Sequence, residues 1–178
     1  MQQTIANGGV QYIVPQIAVQ YVYLDFDGEL TSYNGEILSI NKVEVKNSAL
    51  TEERVANILA GLNAKYAAQN VVFVTEKPLS AEYSTIYIGK TAEFEKYGTF
   101  AGVAETVDKG NLNRNDKAFV MLDAASSDET IISTIAHETD HLTGILDHGG
   151  EGLNAYAANI NVNSRVTSSG LTVANNNS

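Results

Sequence analysis

The chain has 178 residues, with 11 basic and 21 acidic side chains, a net charge of −10, 44% hydrophobic residues and no cysteine. Length and apolar content suit one globular domain with a sizeable core, or such a domain with tails. The charge argues against nucleic acid and anionic membrane surfaces as partners, since both would repel it. The missing cysteine excludes disulfides, thiolate zinc clusters and a thiol nucleophile.

Met1 is followed by Gln2-Gln3-Thr4, with no basic n-region and no apolar h-region. No signal peptide is expected in this chain, and no apolar run is long enough to span a bilayer. Residues 2–11 and 159–178 are rich in Asn, Ser, Thr, Gly and Gln and almost uncharged, a composition that buries little alone. Three regions follow: an N-terminal extension over 1–19, a domain over 20–158 and a polar tail over 159–178.

Within the domain, Val22, Leu24 and Phe26 alternate with Tyr21, Tyr23 and Asp25, which predicts a strand ended by the Asp27-Gly28 turn. Asp25-Phe26-Asp27-Gly28-Glu29 lacks the length and terminal glutamate of a calcium loop, so it reads as strand end and turn. Thr51 is a good N-cap before Glu52 and Glu53. Val55, Ile58, Leu59, Leu62 and Tyr66 then follow at helical spacing, which predicts a helix to about Asn70. Short apolar runs predict strands at Val71–Val74, Thr85–Ile88 and Ala118–Leu122, and the more polar Gly102–Val107 reads as an edge strand. Ser126-x-x-Glu129 has the form of a capping box. Behind it Ile131, Ile132, Ile135 and Ala136 mark a buried helical face, and Gly144 suits the left-handed position after the helix. This order predicts an α/β (α+β) fold: a mixed, mostly parallel sheet of five strands with two long helices packed on it.

All three histidines lie in His137-Glu138-Thr139-Asp140-His141-Leu142-Thr143-Gly144-Ile145-Leu146-Asp147-His148. On a helix, residues four apart share a face, so His137 and His141 can aim two imidazoles at one ion. Glu138 stands about 100° further round, beside the ion and able to hold its water. A catalytic zinc needs a third protein ligand and an open position. Gly144 lets the chain turn sharply, and Asp147 and His148 are the two candidates to return to the metal.

His-Glu-x-x-His-x-x-Gly-x-x-His/Asp is the signature of the metzincin metalloproteases, and the stretch from Gln20 to Tyr156 resembles their catalytic subdomain, a twisted five-stranded sheet with two helices. The resemblance implies zinc ligands at His137 and His141 and a general base at Glu138. In the family's spacing the third ligand falls on Asp147, as in the snapalysin variant. With one residue inserted, the Gly-x-x-His form would make it His148. The resemblance also implies a peptide or protein substrate lying antiparallel along the edge strand, here Gly102–Val107. The family's methionine turn is missing, since the only methionines, Met1 and Met121, lie upstream. Leu153 could supply an apolar floor and Tyr156 a phenol that stabilises the oxyanion. Gln-Gln-Thr-Ile-Ala-Asn-Gly-Gly-Val and Thr-Ser-Ser-Gly-Leu-Thr-Val-Ala-Asn at the two ends resemble repeats of bacterial autotransporter passenger regions. That implies secretion or display on a bacterial surface as part of a longer precursor.

The expected function is therefore a zinc-dependent endopeptidase, monomeric and without membrane insertion of this segment. A glutamate third ligand is a weaker alternative, because Glu151 follows too closely to sit on a separate ligand helix. A non-enzymatic alternative is a metal-binding adhesin or binding module of a bacterial surface protein.

Overall fold

A computed structural model of the chain describes residues 4–7, 10–13, 18–79, 81–145 and 157–158. In the N-terminal extension, β1 (Thr4–Asn7) and β2 (Val10–Ile13) form an antiparallel pair. The domain follows as β3 (Gln20–Asp25), β4 (Leu30–Asn34), β5 (Ser39–Glu44), α1 (Glu52–Lys65), β6 (Val71–Val74) and β7 (Tyr83–Ile88). A short 3₁₀ turn at Glu95–Tyr97, β8 (Gly102–Ala104), β9 (Lys117–Val120), α2 (Asp128–Leu142) and β10 (Ala157–Ala158) complete it.

The main sheet has the order β10-β8-β9-β7-β3-β6. β3 runs parallel to β6 and β7, and β7 runs parallel to β9. β8 is antiparallel to β9, and β10 antiparallel to β8. Together with the two helices this is the mixed α/β arrangement expected. Among the described residues no helix is long and apolar enough to cross a membrane.

Two cores lie on opposite faces of the sheet. On one, Val22, Leu24, Ile86 and Val120 meet Ile58 and Leu62 of α1 and Ile131 and Ile135 of α2. All eight are fully buried, which stabilises the fold by about 1.5–3 kcal/mol per side chain. On the other face, Tyr87, Val103 and Phe119 pack with Tyr33 and Val43 from the β4–β5 hairpin and with Phe94 and Phe100. The hairpin was not anticipated. Its strands expose most of their side chains and bury chiefly Tyr33 and Val43, so the apolar pattern is too thin to mark it. It explains why Tyr87 and Phe119 are buried although they point away from the helices.

The helix ends differ from expectation in two places. The hydroxyl of Thr51 caps α1 by accepting from the Arg54 amide, but α1 stops at Lys65 rather than near Asn70. The Gln69 amide turns back to the Tyr66 carbonyl, and Asn70 takes φ +53° before β6 begins. At α2 the cap is Ser127, not Ser126: its Oγ accepts from the Thr130 amide. The Ser126 carbonyl instead accepts from Arg54, whose guanidinium also reaches the Ala124 carbonyl at 2.9 Å and Asp128 at 2.7 Å. Arg54 thereby fastens the start of α1 to the start of α2.

At the N-terminal ends of the parallel strands, Gln20 Nε2 donates to Ser84 Oγ at 2.8 Å, and the Ser84 hydroxyl donates to Asp116 Oδ1 at 2.5 Å. Burial pushes the Asp116 carboxyl up to about 7, against the opposing effect of the Ser84 hydrogen bond. Asp25 is likewise a structural carboxylate. Its Oδ1 accepts from the Asp27 and Gly28 amides at 3.0 and 3.2 Å and closes the turn after β3, in keeping with the turn reading of that segment.

Candidate metal centre

α2 carries His137, Glu138 and His141 in its last two turns, and that end of the helix is closed by a Schellman motif. The Gly144 amide donates to the His141 carbonyl at 3.1 Å and the Ile145 amide to the Asp140 carbonyl at 2.8 Å. Gly144 has φ +70°, as its position after the helix requires. A Cβ there would also lie 2.9 Å from the Gly110 amide and collide with the Asp108 carbonyl, so glycine alone fits. The loop after β8 thus wraps the helix end, and the Asp108 amide donates to the His141 carbonyl at 3.0 Å.

The two imidazoles converge. Their Nε2 atoms are 3.2 Å apart, with ring centroids at 4.8 Å and planes at 86°. As a bare pair this is an N–H···N hydrogen bond, with one ring donating and the other accepting. Two nitrogens each about 2.0–2.1 Å from one tetrahedral zinc would be separated by about 3.3–3.4 Å. The Nε2 atoms are therefore about as far apart as two imidazole ligands of one tetrahedral ion are.

Glu138 lies on the neighbouring flank of α2, fully buried against β8. Gly102 is its immediate neighbour: a Cβ on Gly102 would sit 2.9 Å from the Glu138 carboxyl carbon. A glycine inside a strand signals close approach of another group, and here that group is the glutamate. Nothing in the local pattern of Gly102–Val107 says which side chain comes close.

Asp140 faces away from the imidazoles into a contact with α1. The Tyr66 hydroxyl donates to Asp140 Oδ1 at 2.5 Å and to the Ala136 carbonyl at 2.8 Å. Burial raises the Asp140 carboxyl above its ordinary range, and burial together with the Asp140 charge raises the Tyr66 phenol. Asp140 thus orients Tyr66, which reads in the sequence only as part of α1's apolar face. Thr139, also fully buried, satisfies its hydroxyl on the Ile135 carbonyl at 2.8 Å.

Asp147 and His148, the alternatives for the third ligand, lie outside the described residues, as do Glu151, Leu153 and Tyr156. Among the described residues no group of three metal-ligating side chains is assembled. The histidine site is also closed: His137 is 7% exposed, and Glu138 and His141 are fully buried. Open cavities of about 610 and 370 Å³ lie elsewhere, the first beside Lys46, Phe94 and Phe100, the second beside Tyr23, Leu50 and Leu59.

The substrate edge needs correction. The regular strand is Gly102–Ala104 rather than Gly102–Val107; just past it the Glu105 amide still donates to the Lys117 carbonyl at 2.9 Å, and its carboxylate accepts from the Asn34 amide at 2.7 Å. Nor is β8 an outer edge. Ala157 pairs with Val103 and Ala158 with Gly102, so the chain itself satisfies backbone groups a peptide was expected to meet. No family model, curated protein or solved structure matches the chain.

Proposed function

We propose that this protein is a zinc-dependent endopeptidase of the metzincin type. The observation that carries the reading is the convergence of His137 and His141 Nε2 atoms at 3.2 Å, with Glu138 held on the adjoining flank of the same helix. The mixed sheet, with the histidine-bearing helix against an antiparallel strand near its border, supports it. Zinc, when bound, polarises the scissile carbonyl and acidifies a water molecule. His137 and His141 supply two neutral imidazoles, and Asp147 or His148 the third ligand. Glu138 accepts the proton of the attacking water and delivers it to the departing amine. Burial of this carboxylate beside β8 fixes its position and keeps bulk water from competing for the proton.

The test pairs metal content with cleavage. Wild-type protein is expected to hold one zinc by elemental analysis and to cut casein in a chelator-sensitive way. Glu138→Ala is expected to keep the zinc and lose cleavage by at least a hundredfold, and His137→Ala or His141→Ala to lose the zinc. Unchanged metal content in both histidine variants removes the metal site, and undiminished cleavage by Glu138→Ala removes the mechanism. The burial of both imidazoles favours a second reading, a binding module of a bacterial surface protein whose metal is structural. One tightly held zinc with no cleavage of any protein or peptide selects it.

A further inference from the structure

A site that cuts peptides must admit one, yet in this structure Glu138 and His141 have no solvent exposure and His137 has 7%. One short segment of backbone lies beside both the border strand and α2. β10 runs antiparallel to β8, with Ala158 opposite Gly102, the residue that abuts the Glu138 carboxylate. It also lies beside α2. The strand thus takes the place, hydrogen-bonding pattern and chain direction that a peptide would adopt by strand addition at this edge.

We infer that the Ala157–Ala158 segment is an autoinhibitory strap, a stretch of the protein's own chain that occupies the substrate's place on β8 and must be displaced before a peptide can bind. The inference rests on the endopeptidase reading and concerns the regulation of that same site. Its energetics suit a reversible device. β10 has only two residues, so a handful of main-chain hydrogen bonds, each about 0.5–1.5 kcal/mol net, hold it against the sheet. A substrate pairing over a longer stretch offers more bonds to the same strand and can displace it. A competitor tethered to the protein is present at a high effective concentration, so it slows cleavage of short peptides most.

Two variants of the full chain test this. Proline cannot donate to a ladder, so Ala157→Pro with Ala158→Pro should unpair β10 without touching the buried site. Directly opposed residues of an antiparallel pair have Cα atoms about 4.5–5.5 Å apart, within disulfide range, so Val103→Cys with Ala157→Cys should lock the strap. The chain has no native cysteine to compete for that bridge. Each protein is zinc-loaded and assayed by hydrogen exchange over residues 102–104 and by cleavage of a mixed-sequence pentapeptide library.

The proline variant is expected to exchange the β10-facing amides at least tenfold faster and to cut the library at least tenfold faster. The oxidised cysteine variant is expected to cut at least tenfold slower than its phosphine-reduced form. Freed β8 amides with unchanged cleavage, or an intact bridge with undiminished cleavage, overturn the strap and leave the protease standing. Unprotected amides in the wild-type protein overturn it too. No cleavage by wild-type, proline or reduced cysteine proteins, each holding one zinc, overturns the protease reading and the strap with it.

Discussion

Gly102→Ala adds one methyl group where β8 meets the Glu138 flank of α2. The three atoms nearest the new Cβ all belong to Glu138, with the carboxyl and γ carbons at 2.9 Å. The nearest is the carboxylate oxygen Oε1, closer than either carbon, and ordinary contact begins at 3.4 Å, so the strand and the side chain must part by about an ångström. Gly102 is not among the residues with positive φ, so the substitution carries no left-handed strain and its cost is the collision alone. Overpacking of a filled core costs about 1–3 kcal/mol. A displacement of about 1 Å at a reacting group can cost about a hundredfold in rate, so the kcat of the proposed peptide cleavage is expected to fall by about that factor. Urea unfolding gives the first quantity and peptide cleavage by zinc-loaded protein the second. Zinc content should stay at the wild-type level, because the methyl meets the glutamate rather than an imidazole. The double variant Gly102→Ala, Glu138→Ala should recover most of the lost stability, a coupling of about 1–3 kcal/mol in a double-mutant cycle. Additive stability changes, or an unaltered kcat in the single variant, would refute the claim that β8 holds Glu138 in its working position.

Other consequences can be tested separately. Asp116 has its carboxyl raised from 3.8 to about 7, so the folded state holds its proton more tightly than the unfolded chain. Its contribution is fully present below pH 4 and is lost as the pH rises through about 7, by up to roughly 4 kcal/mol. Asp116→Asn keeps an oxygen for Ser84 but cannot ionise, so it should be more stable than wild type at pH 8, with the advantage fading toward pH 4. Equal pH dependence of urea unfolding in the two proteins would rule that out. Arg54→Ala should cost about 1–2 kcal/mol, because it unties the start of α2 from α1 while leaving partners that water can reach. Arg54→Lys should recover little of this, since an ammonium cannot span three acceptors in a fork. Unfolding midpoints of the two variants that match wild type would show that the fork contributes nothing.

What could be read in the sequence follows from the range of the forces involved. The helices were legible because capping and the 3.6-residue apolar period are local. Thr51 and the Ile58–Leu62 face announce α1, and the Ile131–Ile135 face announces α2. The choice between Ser126 and Ser127 as cap was not local. Arg54, from 72 residues away, holds the Ser126 carbonyl in its fork, and the Ser127 hydroxyl caps the helix. The histidine pair was legible for the same reason as the helices, since a four-residue spacing fixes the meeting of two side chains before any tertiary contact forms. The β4–β5 hairpin was not, because Tyr33 and Val43 bury against Tyr87, Phe119 and Phe94 on strands far along the chain, and only those strands reveal the face to be covered. The border strand shows the limit most sharply. The polar character of Gly102–Val107 marks it as a strand with one side unclaimed, and that much is local. Which segment claims the side is decided by where the chain returns after α2. A peptide substrate and Ala157–Ala158 satisfy the same row of amides and carbonyls, so the strand's own sequence favours neither. If the proposed strap operates, the competition between them is settled by tethering and by the number of residues each can pair.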